Sequence, residues 1–179
     1  MSYGDLKYVV LDSTPHACQL VSDMLSELSA KKVHYFTSVD AAWKEILRGP
    51  VGCVIVEHAL KEEDGFELVR RIRSHAYVKL REVPIILLTA TREERAITQG
   101  RDLGVDEIIA KPFPTKVLKM RLDAITGNRR DFVLEEGGYT GPDRRRHRGD
   151  DFDGEDRRGS EAEDASPAGD EDEVFEVNH

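Results

Sequence analysis

The sequence predicts an α/β protein with a five-stranded parallel sheet in a doubly wound (βα)5 arrangement, followed by a disordered charged tail. Short apolar runs alternate with segments of helical spacing, and the alternation repeats five times before residue 127. After that point the composition changes to glycine, arginine and acidic residues. Such alternation is typical of parallel strands joined by right-handed helical crossovers, with helices on both faces of the sheet.

Five short runs rich in Val, Ile and Leu are the predicted strands. Their apolar character is nearly continuous, which suits strands that are buried on both faces of a parallel sheet. They are residues 7–12 (KYVVLD), 33–37 (VHYFT), 53–57 (CVIVE), 83–90 (VPIILLTA) and 106–110 (DEIIA).

Five segments with apolar residues at helical spacing lie between and after these strands. Pro15 suits the first turn of the first helix, and Ser38 or Asp40 is a candidate N-cap for the second. Gly127 and Asn128 mark the end of the last helix. The predicted helices are residues 15–29, 39–47, 65–75, 93–103 and 115–126.

The charges divide the chain into three regions. Residues 1–127 hold 18 basic and 18 acidic residues, which fits a neutral folded domain of ordinary size. Residues 128–148 form an arginine-rich extension, and residues 149–179 hold 2 arginines against 13 acids, a composition typical of a disordered tail.

No signal peptide and no membrane span are predicted. The start of the chain lacks a basic segment followed by a long apolar stretch, and no apolar run approaches the ~20 residues that cross a bilayer. We expect a cytoplasmic protein without membrane insertion. Cys18 and Cys53 stand at apolar positions of a predicted helix and strand, so we expect two small buried hydrophobic residues.

Polar residues follow four of the predicted strands at the point where each strand ends. Asp12 and Ser13 follow the first strand, Glu57 ends the third, Thr89 ends the fourth and Lys111 follows the fifth. The carboxyl ends of parallel strands form one edge of the sheet, where doubly wound proteins place their sites. A single polar residue at a strand end is usually a solvated loop residue, but four together indicate a site.

Over residues 5–127 the chain resembles the CheY-like receiver domain of bacterial two-component response regulators, which has a flavodoxin-like fold. The stretches that carry the resemblance are VVLDSTP, VIVEHALKEEDG, PIILLTA and GVDEIIAKPF. The resemblance implies phosphoryl transfer from a kinase histidine to a carboxylate at the end of the third strand. A bound Mg²⁺ and fixed hydrogen-bond donors would stabilise the phosphoryl oxygens.

Three positions match the family pattern. Asp12 corresponds to the first of two adjacent metal-binding acids, Thr89 to the hydroxyl residue and Lys111 to the lysine that contact the phosphoryl group. The family's bond between this lysine and the next proline, here Pro112, is typically cis.

Four positions depart from the family pattern. Ser13 replaces the second metal-binding acid, Glu57 the phosphoaccepting aspartate, Lys61 a usual proline and Ile108 the aromatic switch residue. Without the second acid we expect weak or absent Mg²⁺ binding, hence no cofactor. The extra methylene of Glu57 moves its carboxylate by on the order of 1.5 Å, and misplacement of that size can cost ~10²-fold in rate.

Two interpretations of Glu57 remain open on the sequence. Its carboxylate accepts hydrogen bonds from Thr89 and Lys111 and imitates a permanently phosphorylated state, or it forms a structural ion pair without a signalling role. The loss of the aromatic residue at position 108 favours the second interpretation.

An arginine cluster follows the predicted domain: Arg144, Arg145, Arg146 and Arg148, with Asp151 close behind. It is either a solvated linker or, through guanidinium contacts to phosphates and guanine edges, a cyclic di-GMP site. The acidic tail beside it disfavours binding to nucleic acid.

These features favour a non-enzymatic signalling protein that acts without phosphorylation. The resemblance places its partner, a signalling protein or a second copy of the chain, on the face of the fourth and fifth helices and fifth strand, residues 93–119. No DNA-binding domain is predicted because residues 128–179 lack helical periodicity. The alternatives are a cyclic di-GMP-binding effector and a conventional phosphorylated regulator.

Overall fold

The computed structural model describes residues 3–90, 94–127, 130–134 and 138–144. Five parallel strands form one sheet in the order β2-β1-β3-β4-β5, with helices on both faces. The predicted α/β fold class is confirmed. The strands are β1 Lys7–Leu11, β2 Lys32–Phe36, β3 Cys53–Glu57, β4 Ile85–Thr89 and β5 Glu107–Ala110.

Within the part of the chain that the structure describes, six α-helices connect and follow these strands, and a 3-10 turn at Tyr3–Asp5 precedes them. Thr14 caps the first helix by accepting a hydrogen bond from the Ala17 N–H at 3.1 Å, and Pro15 occupies its first turn. The helices are α1 Pro15–Glu27, α2 Val39–Leu47, α3 Phe66–Arg73, α4 Val78–Arg81, α5 Glu94–Asp102 and α6 Thr115–Gly127.

Two apolar clusters form the core, one on each face of the sheet. Alternate side chains of the central strands point to opposite faces, so each strand contributes to both clusters. One cluster packs α2, α3 and α5 against Val9, Val54, Val56 and Leu87. The other packs α1 and α6 against Val10, Ile55, Ile86 and Leu88.

Three local predictions differ from the structure. Strands β2 and β5 lie at the two edges of the sheet and are only partly buried, so the expectation of burial on both faces is wrong for them. Ser38 stands at the N-cap of α2, but neither its side chain nor that of Asp40 caps the helix. The carboxylate of Glu63 accepts from the Val39 N–H at 2.8 Å instead. Helix α4 was not predicted, because its four residues are too few to show a periodicity.

A small antiparallel hairpin follows α6, in a region that the sequence pattern assigned to a linker. It pairs β6 (Phe132–Leu134) with β7 (Thr140–Pro142) and belongs to the same compact unit as the sheet, which ends at Arg144. Two three-residue strands are too short for a pattern to indicate them.

A buried ion pair lies at the amino ends of β4 and β5. Arg73 Nη2 donates to Asp106 Oδ2 at 2.9 Å, and both side chains are about 4% exposed. The guanidinium also donates to the carbonyl oxygens of Gly104, Arg81 and Val83 at 2.6–2.8 Å. It therefore fastens α3 to α4 and to the turns before β4 and β5.

The remaining expectations concern cysteines and membranes. Cys18 and Cys53 are buried free thiols, as expected, and burial raises the pKa of the Cys18 thiol, which keeps it protonated. Among the described residues, none of the helices combines the length and apolarity that a membrane span requires.

Candidate functional site

Asp12, Glu57 and Lys111 meet at the carboxyl edge of the sheet, where the strand order reverses between β1 and β3. The Asp12 side chain is completely buried. Its Oδ1 accepts the Ser13 N–H at 2.7 Å and the Ser13 hydroxyl at 3.3 Å. Ser13 thus donates two hydrogen bonds to the neighbouring Asp12 carboxylate and adds no second negative charge.

Lys111 lies between the two carboxylates. Its ammonium is 2.5 Å from Asp12 Oδ2 and 2.7 Å from Glu57 Oε2, and its backbone N–H donates to the Thr89 carbonyl at 2.7 Å. The peptide bond between Lys111 and Pro112 is cis, as the resemblance implies. Burial lowers the pKa of the ammonium, but the hydrogen bonds to Asp12 and Glu57 outweigh it, so the net pKa is raised.

The second oxygen of Glu57 is held by its own loop. Oε1 accepts the Ala59 N–H at 3.2 Å and lies 3.1 Å from His58 Nδ1. The sequence did not point to His58 as a contact of Glu57, because neighbouring strand residues normally face opposite sides of a sheet. The strand ends at Glu57, and this alternation ends with it.

Gly65 fixes the loop that returns from Glu57 to α3. A Cβ at position 65 would stand 1.9 Å from the Glu57 carbonyl oxygen, so only glycine fits. Asp64 then caps the helix by accepting the Phe66 N–H at 2.9 Å. The Asp-Gly pair therefore permits α3 to begin directly against the site.

The other two residues of the predicted site flank this centre. Thr89 is completely buried at the end of β4, opposite Ala110 of β5. Ile108 is half-buried on β5 and packs against the cluster under α2, α3 and α5. An aliphatic side chain at this position has no aromatic ring whose reorientation could report the state of the site.

Of the arginine cluster, the structure describes Arg144. Its guanidinium lies 4.2 Å from the ring centre of Tyr139, donates to the Tyr139 hydroxyl at 3.1 Å and pairs with Asp102 at 3.2 Å. Arg145, Arg146, Arg148 and Asp151 lie outside the described residues. The guanidinium of Arg144 is thus engaged by the domain itself.

A Mg²⁺ ion requires oxygen ligands in near-octahedral geometry. Asp12 and Glu57 supply carboxylates, but each of their four oxygens already accepts a hydrogen bond, and the Lys111 ammonium stands between them. Across the residues that the structure describes, no group of three or more His, Cys, Asp or Glu side chains has the arrangement of a metal site. With the Lys111 ammonium between them, the two carboxylates already share one cation.

An open cleft of about 490 Å³ adjoins the site on the side of Ser13. Lys61 lines it together with Glu62 and Glu63. The cleft wall therefore carries both signs of charge.

The fold agrees with comparison to known proteins. A family model described as "Response regulator receiver domain" matches residues 9–123. The chain belongs to the response regulator receiver family. It is a receiver domain of two-component signalling, and receiver domains are in general non-enzymatic signalling modules that interact with signalling partners.

Several relatives illustrate this membership. The transcriptional regulatory protein SrrA of Staphylococcus aureus is 26% identical over 113 residues, which are 63% of this chain and 45% of SrrA. This receiver chain therefore spans about half the length of the curated relatives that it matches.

Solved structures share the fold. The chemotaxis protein CheY4 of Vibrio cholerae has a TM-score of 0.61 at 21% identity, covering 67% of this chain and 98% of CheY4. The receiver domain of a sensor histidine kinase from Pseudomonas aeruginosa PAO1 has a TM-score of 0.59 at 24% identity, covering 66% and 94%. That domain was crystallised with a magnesium ion coordinated in its active-site cleft.

Proposed function

We propose that this receiver domain signals through protein contacts without being phosphorylated, and that it is not an enzyme. The observation that supports this proposal is the position of the Lys111 ammonium, which bridges the carboxylates of Asp12 and Glu57. A network of one cation between two anions is already hydrogen-bonded on every carboxylate oxygen. A phosphoryl group or a metal ion would therefore compete with the Lys111 ammonium for these oxygens.

The charges of the site argue in the same direction. Two carboxylates and one ammonium leave a net negative charge, which repels the dianionic phosphoryl group unless a divalent cation compensates. Ser13 supplies no carboxylate for such a cation, and its hydroxyl donates to Asp12 instead. We therefore propose that Mg²⁺ binds weakly or not at all.

The length of Glu57 is part of the same proposal. Its extra methylene lets the carboxylate reach both Lys111 and the Ala59 N–H. Because Ile108 replaces the aromatic switch, we propose that this network is a fixed structural ion pair rather than an imitation of the activated state.

The partner surface that we propose is the face of α5, β5 and α6. Met120 on α6 is 54% exposed, a large fraction for an apolar side chain. Glu107 on β5 pairs with Arg121 of α6 at 3.0 Å, which gives the face an ordered polar rim. An apolar side chain beside ordered charges suits a signalling protein or a second copy of the chain.

Incubation with acetyl phosphate and Mg²⁺, followed by intact-mass spectrometry, tests the proposal. We expect no phosphoryl adduct on the wild type or on Glu57→Asp, because Ser13 still leaves the metal underbound. The double variant Ser13→Asp, Glu57→Asp restores both groups and is expected to be labelled. A wild-type adduct that disappears in Glu57→Gln would establish the conventional regulator instead.

Binding of cyclic di-GMP by the arginine cluster is a second candidate function. The contact that bears on it is the stacking of Arg144 on Tyr139, which shows that one arginine of the cluster can be held in a fixed orientation. Calorimetry with cyclic di-GMP compares the intact chain with the variant Arg145→Ser, Arg146→Ser, Arg148→Ser. Heat from the intact chain that the variant loses supports this candidate, and no heat from either excludes it.

A further inference from the structure

The hairpin after α6 lies beside the amino end of β5, which belongs to the proposed partner face. We use the term hairpin for residues 130–134 and 138–144. The family match ends at residue 123, so the hairpin is additional to the part of the chain that matches the receiver family. Its contacts with α5 and β5 suggest a role in controlling that face.

Two arginines of the hairpin bind polar groups at the junction of α5 and β5. Arg130 Nη2 donates to the Asp106 carbonyl oxygen at 2.7 Å and lies 3.4 Å from Glu107 Oε1. Arg144 Nη1 lies 3.2 Å from Asp102 Oδ1. We call these three acceptors, the Asp102 and Glu107 carboxylates and the Asp106 carbonyl, the acidic edge.

Backbone packing holds the hairpin between these two contacts. Gly104 has a φ of +81°, and a Cβ there would lie 2.1 Å from the Thr140 carbonyl oxygen. A Cβ on Gly141 would lie 2.6 Å from the Gly104 Cα. Two glycines therefore face each other at a distance that no side chain permits, so the hairpin fits this turn closely.

Aromatic contacts support both ends of the hairpin. The Phe132 ring covers the guanidinium of the buried Arg73, with 5.4 Å between the guanidinium carbon and the ring centre. Tyr139 donates its hydroxyl hydrogen to the Pro142 carbonyl at 2.8 Å and stacks beneath Arg144. The side chain of Arg144 is thus oriented before it reaches Asp102.

We propose that the acidic edge is a docking surface for an arginine-bearing protein segment, and that the hairpin occupies it as a built-in competitor. Each ion pair at this surface is weak by itself. The tether compensates, because a short connection holds the hairpin at an effective concentration in the millimolar range. A partner segment with two suitably spaced arginines would displace the hairpin and expose the part of the partner face at the amino end of β5. The proposal extends the partner face proposed above but does not depend on the phosphorylation state of the site.

The test uses the full chain labelled with ¹⁵N and a synthetic peptide that copies residues 128–146. The variant Arg130→Ser, Arg144→Ser loosens the hairpin, and amide resonances of residues 102–107 report binding. We expect the peptide to bind this variant with a dissociation constant below about 1 mM, and the wild type at least about tenfold more weakly. The matched control Lys31→Ser, Lys79→Ser removes two exposed cations elsewhere and should behave as the wild type.

A second variant loosens the hairpin without a change of charge. Gly141→Val places a side chain against Gly104 and should increase peptide binding as the arginine variant does. A peptide in which all five arginines of residues 128–146 are replaced by serine should bind neither variant. Absence of binding to both variants, or equal binding to variant and wild type, would overturn the proposal. Neither result bears on phosphorylation, which the acetyl phosphate experiment tests separately.

Discussion

Two ion-pair networks lie at opposite edges of the same sheet, and they differ in how completely they are enclosed. At the amino ends of the strands, Arg73 and Asp106 are each about 4% exposed, and Arg73 also donates to three carbonyl oxygens. At the carboxyl ends, Lys111 is 25% exposed and binds the side chains of Asp12 and Glu57.

The difference separates an enclosed network from one that remains partly open to solvent. Arg73, in the network at the amino ends of the strands, has a rigid fork of donors and is charged at every accessible pH. Lys111, in the network at the carboxyl ends of the strands, is a flexible point charge that remains close to solvent. Proteins with parallel sheets form their sites at the carboxyl ends of the strands. The ion pairs of Lys111 lie at that edge.

Replacement of Arg73 should cause the largest effect. In Arg73→Met the Asp106 carboxylate stays buried without its cation, and we expect a loss of about 3–5 kcal/mol in the free energy of unfolding. Urea denaturation followed by circular dichroism measures it. The control Arg71→Met removes a more exposed arginine that pairs with Asp40, and it should cost below about 1 kcal/mol. Equal losses in the two variants would show that the buried Arg73–Asp106 pair contributes no more to the free energy of unfolding than an exposed ion pair.

Replacement of Lys111 should have an intermediate effect. Lys111→Met leaves two carboxylates side by side, and we expect a loss of about 1.5–3 kcal/mol, since bonds to charged groups are strong but the lysine is partly solvated. Lys119→Met is the matched control, because Lys119 pairs with Asp123 at an exposed position. A Lys111 variant as stable as its control would show that the ion pairs of Lys111 with Asp12 and Glu57 contribute nothing to the free energy of unfolding.

The two networks should also differ in their response to alkaline pH. The pKa of Lys111 is raised in the folded state above its ordinary 10.5, so its contribution is complete below about pH 10.5 and is lost as the pH rises through the folded pKa. The stability difference between wild type and Lys111→Met should therefore shrink above pH 10.5. The difference for Arg73→Met should stay constant in that range, and a parallel decline would contradict this account.

The smallest effect is expected at Ser13. Ser13→Ala removes the 3.3 Å hydroxyl contact to Asp12 but keeps the 2.7 Å backbone contact, so the loss should stay below about 1 kcal/mol. Thermal unfolding measures it, with Ser22→Ala on the partly buried surface of α1 as the control. A larger loss would mean that the hydroxyl, rather than the backbone, maintains the aspartate.

Much of the fold was accessible from the sequence, because its strongest signals are long and periodic. The five strands and five of the six helices lie where the alternating patterns predicted them, and Cys53–Glu57 agrees to the residue. Ends were less accurate, as with the helix predicted over 65–75 and found at Phe66–Arg73. Helix ends depend on caps such as the Glu63 carboxylate at α2, which comes from a distant loop.

The site could be located from the sequence but not drawn in detail. Their positions at strand ends and the family motifs indicated that Asp12, Glu57 and Lys111 would lie near one another, and the structure places the lysine between the acids. The contact from His58 depends on how the chain turns after Glu57, which no periodicity encodes. The hairpin depends on the meeting of Gly104 with Gly141, two residues far apart in sequence.

The account's central claim is that the strand-end network is complete without a phosphoryl group or a metal ion. The most direct test is the ¹H–¹⁵N spectrum of the full chain before and after addition of Mg²⁺ with beryllofluoride, a phosphoryl mimic. We predict unchanged amide resonances at Ser13, Glu57, Thr89 and Lys111. Saturable shifts at these positions that require both additions would contradict the claim and show a working phosphorylation site.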